Sequence, residues 1–246
     1  MKHFSRIVRP AFVISAFCVS IRLAQAEPIA PRWPQPAGPG TDVWITYSYS
    51  NLLDGAFLLL TPAELRAATE EALGLWARYA PLHFVELPDS GPPPTDQPYA
   101  AIGTPQIRIG HHSIPHVAHA FFPSDSDGLG GDVHIDGGLP WTLGDGHWNL
   151  LEAITHELGH SLGLEHYADG MAIMNPSYPQ RRFWGLGSAF LLPADIAALQ
   201  GLYGSGSGSV QALQPVPEPA ALLLVGTGLT ALARIRRRRR DKGERR

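Results

Sequence analysis

The chain has 246 residues, 17% of them charged and 44% hydrophobic, which suits one globular domain with processing segments and excludes a disordered, collagen-like or coiled-coil protein. The formal charge of −3 conceals basic ends and an acidic middle: residues 27–219 contain six Arg, no Lys and twenty Asp plus Glu, about −14 with histidine neutral, so nucleic acid is set aside as a partner. The single cysteine, Cys18, excludes a disulfide framework and a thiolate metal site, and leaves any metal to histidines and carboxylates.

In chain order, residues 1–26 start with Lys2, Arg6 and Arg9, continue through an apolar run from Ala11 to Ile21, and end in Ala24-Gln25-Ala26. That order is expected of a secretory signal peptide cleaved near Ala26, and the run is shorter than a spanning helix needs. A Pro-rich lead occupies 27–41. Val43 to Tyr49 is rich in β-branched and aromatic residues and predicts a strand. A helix follows: Thr61 caps it, Pro62 suits its first position, Glu64 completes a capping box, and Leu65, Ala68, Ala72, Trp76 and Tyr79 recur at helical spacing. His83 to Leu87 predicts a second strand, Pro88 to Pro98 a loop, Gln106 to Ile109 a third strand, and Asp132 to Asp136 a fourth after the turn at Gly128-Leu129-Gly130-Gly131. Asn149 to Gly163 predicts the second long helix, with Leu150, Leu151, Ile154, Leu158 and Leu162 on its apolar face, and a last helix runs from Pro193 to Tyr203 before Gly204. The Gly/Ser stretch that follows predicts a flexible linker over 205–215, so the core is expected to end near Gly204. Beyond it come Val216-Pro217-Glu218-Pro219, an uncharged run from Ala220 to Ala233, Arg234, and the block Arg236 to Arg240.

The second long helix carries the chemistry. It reads His156-Glu157-Leu158-Gly159-His160-Ser161-Leu162-Gly163-Leu164-Glu165-His166, an ungapped HExxHxxGxxH. His156 and His160 are one helical turn apart, so both imidazoles leave the same face and can share a metal ion. Glu157 is not needed as a ligand and is free to take a proton from a water that the metal activates. Gly163 permits the backbone conformation that ends the helix and swings the chain back, so that His166 can supply a third nitrogen. Three neutral imidazoles leave one position open, as a catalytic zinc requires.

Together with Met174, eight residues after the third histidine in Ala172-Ile173-Met174-Asn175-Pro176-Ser177-Tyr178, this segment resembles the metzincin metallopeptidases and, among them, the matrixins. The resemblance spans about 42–204 and implies an α+β fold, a twisted mixed sheet packed on two long helices with a C-terminal helix below the cleft. It implies a catalytic zinc on His156, His160 and His166, Met174 beneath the zinc without ligating it, and Pro176 and Tyr178 as the outer wall of the pocket for the residue after the scissile bond. Arg181, Arg182, Phe183 and Trp184 either touch substrate or form a solvated turn. His119-Ala120-Phe121 and Gly130 to Asp136 are also similar to the family. They imply a second, structural zinc on His119 and His134, and a calcium on the carbonyls of Gly128 and Gly130 with Asp132. The chain departs from the pattern in several places. The loop before His119 is shortened and does not plainly carry the family's paired His and Asp, leaving His112, His111 or His116 to substitute. Gly137-Gly138-Leu139 stands where acidic residues of another calcium loop would continue, Tyr167 stands where matrixins usually carry a small hydroxyl residue, and no cysteine follows Cys18 to keep the enzyme latent.

The order of features over 216–246 resembles the PEP-CTERM sorting signal of Gram-negative bacteria. It implies processing by an exosortase-type enzyme, transient inner-membrane anchoring with the arginines on the cytoplasmic side, and a final place in the envelope or outside the cell; an ordinary tail anchor or a lipid-binding basic patch is the plainer alternative. The expected activity is that of an exported zinc endopeptidase acting on polypeptides. The rival is a non-catalytic, zinc-stabilised binding module of the extracellular matrix, against which the intact Glu157 speaks.

Overall fold

The computed structural model describes residues 31–123, 128–144, 148–168, 170–176 and 183–213. The leader at 1–26, Tyr178, Arg181, Arg182 and the sorting segment at 216–246 lie outside them. Along the chain run β1 (Val43–Ser48), α1 (Pro62–Ala77), β2 (Leu82–Glu86), β3 (Ile107–His112), β4 (Ala118–Ala120), β5 (Val133–Asp136), β6 (Trp141–Thr142), β7 (Trp148–Asn149), α2 (Leu150–Ser161), α3 (Pro193–Tyr203) and β8 (Ser209–Gln211). One sheet has the order β4-β5-β3-β1-β2-β8, and β6 pairs with β7 apart from it. Within the large sheet only β4 runs antiparallel to its neighbour, so the sheet is mixed and β4 forms one edge.

The helices form where the sequence predicts them. Thr61 accepts from the Glu64 N–H while the Glu64 carboxylate accepts from the Thr61 N–H at 2.8 Å, closing the capping box on α1. Leu65, Ala68, Ala72 and Trp76 bury the apolar stripe, and Trp76 Nε1 donates to Thr155 O at 3.0 Å, tying α1 to α2. Asn149 caps α2 by accepting from Glu152 N–H at 3.1 Å and donates its amide to Phe183 O at 3.1 Å. The two helices pack together, α1 over β2 and β8 and α2 over β4 and β5. The segment from His156 to His166 is thereby braced between the partner helix and the β4 edge of the sheet.

Two segments extend the core beyond its expected limits. The Pro-rich lead docks from its first described residues: Trp33 is buried, its Nε1 donates to Ser161 O at 2.9 Å, and its N–H donates to the Tyr203 hydroxyl, which in turn donates to Leu162 O. The lead thus staples the end of α2 to α3. At the other end, the linker expected over 205–215 needs correction. Residues 209–211 form β8, parallel to β2 in the register His83↔Ser209, Phe84↔Val210, Val85↔Gln211, with His83 Nδ1 at 2.9 Å from Ser209 Oγ and Leu213 N–H donating to Glu86 at 3.0 Å. An unpaired β2 would present a row of bare amide groups, and even three residues of poor strand former satisfy them. Among the described residues no helix is long and apolar enough to cross a membrane.

Candidate active site

The end of α2 sets the geometry of the three motif histidines. Gly163 N–H donates to His160 O at 2.8 Å and Leu164 N–H to Gly159 O at 2.9 Å, a Schellman closure with Gly163 at φ +93°. A side chain at Gly163 would be doubly excluded, since its Cβ would stand 2.0 Å from Pro31 O in the docked lead. The reversal brings His166 Nε2 to 3.0 Å from both His156 Nε2 and His160 Nε2. His156 Nδ1 lies 2.6 Å from Ile173 O and His160 Nδ1 lies 2.7 Å from Leu164 O. A carbonyl only accepts, so each Nδ1 carries the proton and each Nε2 turns a lone pair inward. Burial lowers the His160 pKa and favours the neutral ring that a metal needs. Ligand nitrogens in a tetrahedral zinc site, with bonds of about 2.0–2.1 Å, lie roughly 3.3 Å apart, so this donor set fits a zinc-sized cation with small outward adjustment.

These histidines and Glu157 line a cleft of about 580 Å³, with Val117, Ala118, Phe122, Ala153 and Pro176 among its other walls. Glu157 is 7% exposed, and burial pushes its carboxyl up to about 8. Beneath α2, Met174 is fully buried against the backbone of Gly159, where an added Cβ would come within 2.3 Å of Met174 Sδ and 3.2 Å of the Trp76 ring. Gly159→Ala is therefore expected to push the Met174 turn away from the helix and cost about 1–3 kcal/mol. Urea unfolding together with a count of bound zinc checks this, both values falling.

The sheet assembles a second cluster. His119 on β4 stands directly opposite His134 on β5, and His112 ends β3 two residues beyond Gly110, the parallel partner of His134. Asp96 joins them from the loop between β2 and β3: its Oδ1 lies 3.0 Å from His119 Nε2, 3.3 Å from His134 Nδ1 and 3.5 Å from His112 Nε2. Three imidazoles and one carboxylate make a closed set of four donors, as structural zinc requires. Burial pushes the His134 pKa down to about 4 and also lowers that of His119. For Asp96 burial would raise the pKa, but the three facing imidazoles outweigh it and hold the carboxyl below its ordinary range. Of the substitutes that the resemblance leaves open, His112 enters the cluster, whereas His111 pairs with Asp54 at 3.1 Å and His116 lines the cleft. Asp96 is the ligand candidate that sequence reasoning missed. The signal available was the count, since three histidines at a structural zinc require a fourth donor.

Other predicted positions take simpler places. Asp132 is buried and accepts the Arg108 backbone N–H at 2.8 Å, beside Gly128 and Gly130 in the turn before β5. Phe183 is fully buried and Trp184 is 68% exposed. Tyr167 donates its hydroxyl to Asp195.

The matrixin family model (Peptidase M10) matches residues 42–204. The chain belongs to the matrixin family. Residues 215–240 of this matrixin match the PEP-CTERM protein-sorting motif. Among similar proteins, human neutrophil collagenase is 31% identical over 212 residues, 79% of this chain and 40% of its own length. Human matrix metalloproteinase-20 is 32% identical over 183 residues (68% and 33%), and human matrix metalloproteinase-15 is 39% identical over 162 residues (61% and 23%). The matrixin thus spans well under half the length of these relatives.

Proposed function

We propose that this matrixin is an exported zinc endopeptidase, with the ion on His156, His160 and His166 and Glu157 as general base. The observation that carries the reading is the convergence of three Nε2 lone pairs beside a buried carboxylate in an open cleft. When bound, the ion supplies Lewis acidity, which polarises a carbonyl and lowers the pKa of a water to about 7. Glu157 takes the proton of the attacking water and passes it to the leaving amine. The sheet edge at β4 lies along the cleft, so an extended polypeptide can add to it by backbone hydrogen bonds while its side chains enter the cleft. Met174 supports α2 from below, and Pro176 lines the cleft as part of the wall for the residue after the scissile bond. A second zinc on Asp96, His112, His119 and His134 holds β4, the rim of the cleft, to β5 and β3.

The leader at 1–26 exports the chain. The sorting segment at 216–246 holds it transiently in the inner membrane of a Gram-negative cell until an exosortase-type enzyme acts, with the envelope or medium as its destination. Digestion of a proteome-derived peptide library, with and without chelator and with zinc counted in each sample, tests the activity. Cleavage lost on zinc removal and restored on zinc addition supports the reading, whereas a folded, zinc-loaded protein that cleaves nothing is a binding module instead.

A further inference from the structure

We propose that Tyr167 is a positioning residue that holds the third metal ligand, His166, through the buried carboxylate of Asp195; the inference rests on the reading that His156, His160 and His166 hold the ion.

The three ligands are not secured alike. His156 and His160 sit on α2, and each donates its Nδ1–H to a carbonyl. That second contact is what normally fixes the rotation of a ligating imidazole. His166 has neither support. It lies beyond the helix, it is exposed, and among the described residues its ring makes hydrogen-bond contact only through Nε2, to the other two histidines. Its position must therefore come from the backbone on either side.

Tyr167 supplies that support twice. Its N–H donates to Met174 O at 3.3 Å, and its hydroxyl donates to Asp195. Asp195 is fully buried at the start of α3, and it also accepts from Leu192 N–H at 3.0 Å, Ile173 N–H at 3.1 Å and Met174 N–H at 3.3 Å. The residue whose N–H it accepts, Ile173, is the one whose carbonyl orients His156. One carboxylate therefore anchors both the Met174 turn, and through it the first ligand, and the residue next to the third. The phenol of Tyr167 spans a distance that a small hydroxyl side chain at this position would not, so the tie to α3 is a property of this chain's own residue.

Tyr167→Phe keeps the packed ring and removes only the hydroxyl. In the full chain we expect zinc at the three-histidine site to bind about 10-fold to 100-fold more weakly, the usual effect of removing a contact behind a metal ligand, measured by chelator competition. The cobalt-substituted absorption spectrum of that site should shift, while zinc at the Asp96 cluster stays put as an internal reference. A variant with a lower urea midpoint but unchanged zinc affinity and cobalt spectrum would show that the hydroxyl only stabilises the fold and would overturn the proposal. If the wild type holds no zinc that His156→Ala removes, the zinc-site reading fails, and the positioning role with it.

Discussion

Glu157→Gln is expected to lower peptide cleavage by about 10²–10⁴-fold while the protein keeps the zinc that the wild type binds. Gln has nearly the same volume and fills the same 7% exposed site, but it cannot accept a proton from water. His156 and His160 turn their lone pairs inward through contacts to main-chain carbonyls, and neither these nor the contacts of His166 involve Glu157, so the donor set survives the change. Burial on its own holds the Glu157 carboxyl at about 8 and favours the neutral acid. A divalent cation on the neighbouring histidines would favour the anion, so under the proposed function metal loading would make the base available. The loss should therefore fall on kcat with little change in KM. Steady-state kinetics on one good peptide from the library, with zinc quantified in both proteins, measures this. A variant that cleaves at the wild-type rate would remove Glu157 from the reaction.

What the sequence could disclose here depended on how local the cause was. The capping box Thr61/Glu64, the Asn149 cap and Pro193 followed by Gly204 are signals contained within a few residues, and the three helices start and stop beside them. The motif from His156 to His166 is local in the same sense, because one helix turn and one glycine reversal bring the three nitrogens together, although the contact of Tyr167 with Asp195 beside the third is not local. Elements whose cause lies across the fold were not visible. β8 is three residues of a Gly/Ser stretch that acquires order from the bare edge of β2, and β6 and β7 are two residues each, too short to show any alternation. Trp33 reads as part of a lead because nothing near it in sequence shows that Ser161 and Tyr203 will receive it. Asp96 sits in a Pro-rich loop without periodicity or motif, and only the meeting of three strand-borne histidines reveals its use.

That loop leads to the largest stability effect expected. Arg108 crosses under it with a fully enclosed guanidinium: Nε donates to Asp89 at 2.7 Å, a terminal nitrogen donates to Pro92 O at 2.6 Å and to Ser50 Oγ at 3.1 Å, and the group lies 5.0 Å from the centre of the Tyr99 ring. Asp89→Asn leaves this cation buried without its counter-charge and is expected to cost about 3–5 kcal/mol, read as a fall in the urea midpoint. Burial alone would raise the Asp89 pKa, but Arg108, the Gly91 N–H and the Ser48 hydroxyl outweigh it and hold the carboxyl below its ordinary range. A group depressed in the fold contributes its stability above its unfolded value, about 3.9 for Asp, and loses it as the pH falls through the lower folded value. The gap between wild type and variant should therefore be constant from neutral pH down to about 5 and close in stronger acid. Because Asp89 and Asp96 share one loop, a zinc on the Asp96 cluster should be shed from the variant before one on the three motif histidines, whose helix packs on α1 as well as on β4 and β5. Equal loss from both sites would mean that the buried pair supports the whole domain rather than the loop that completes the second metal site.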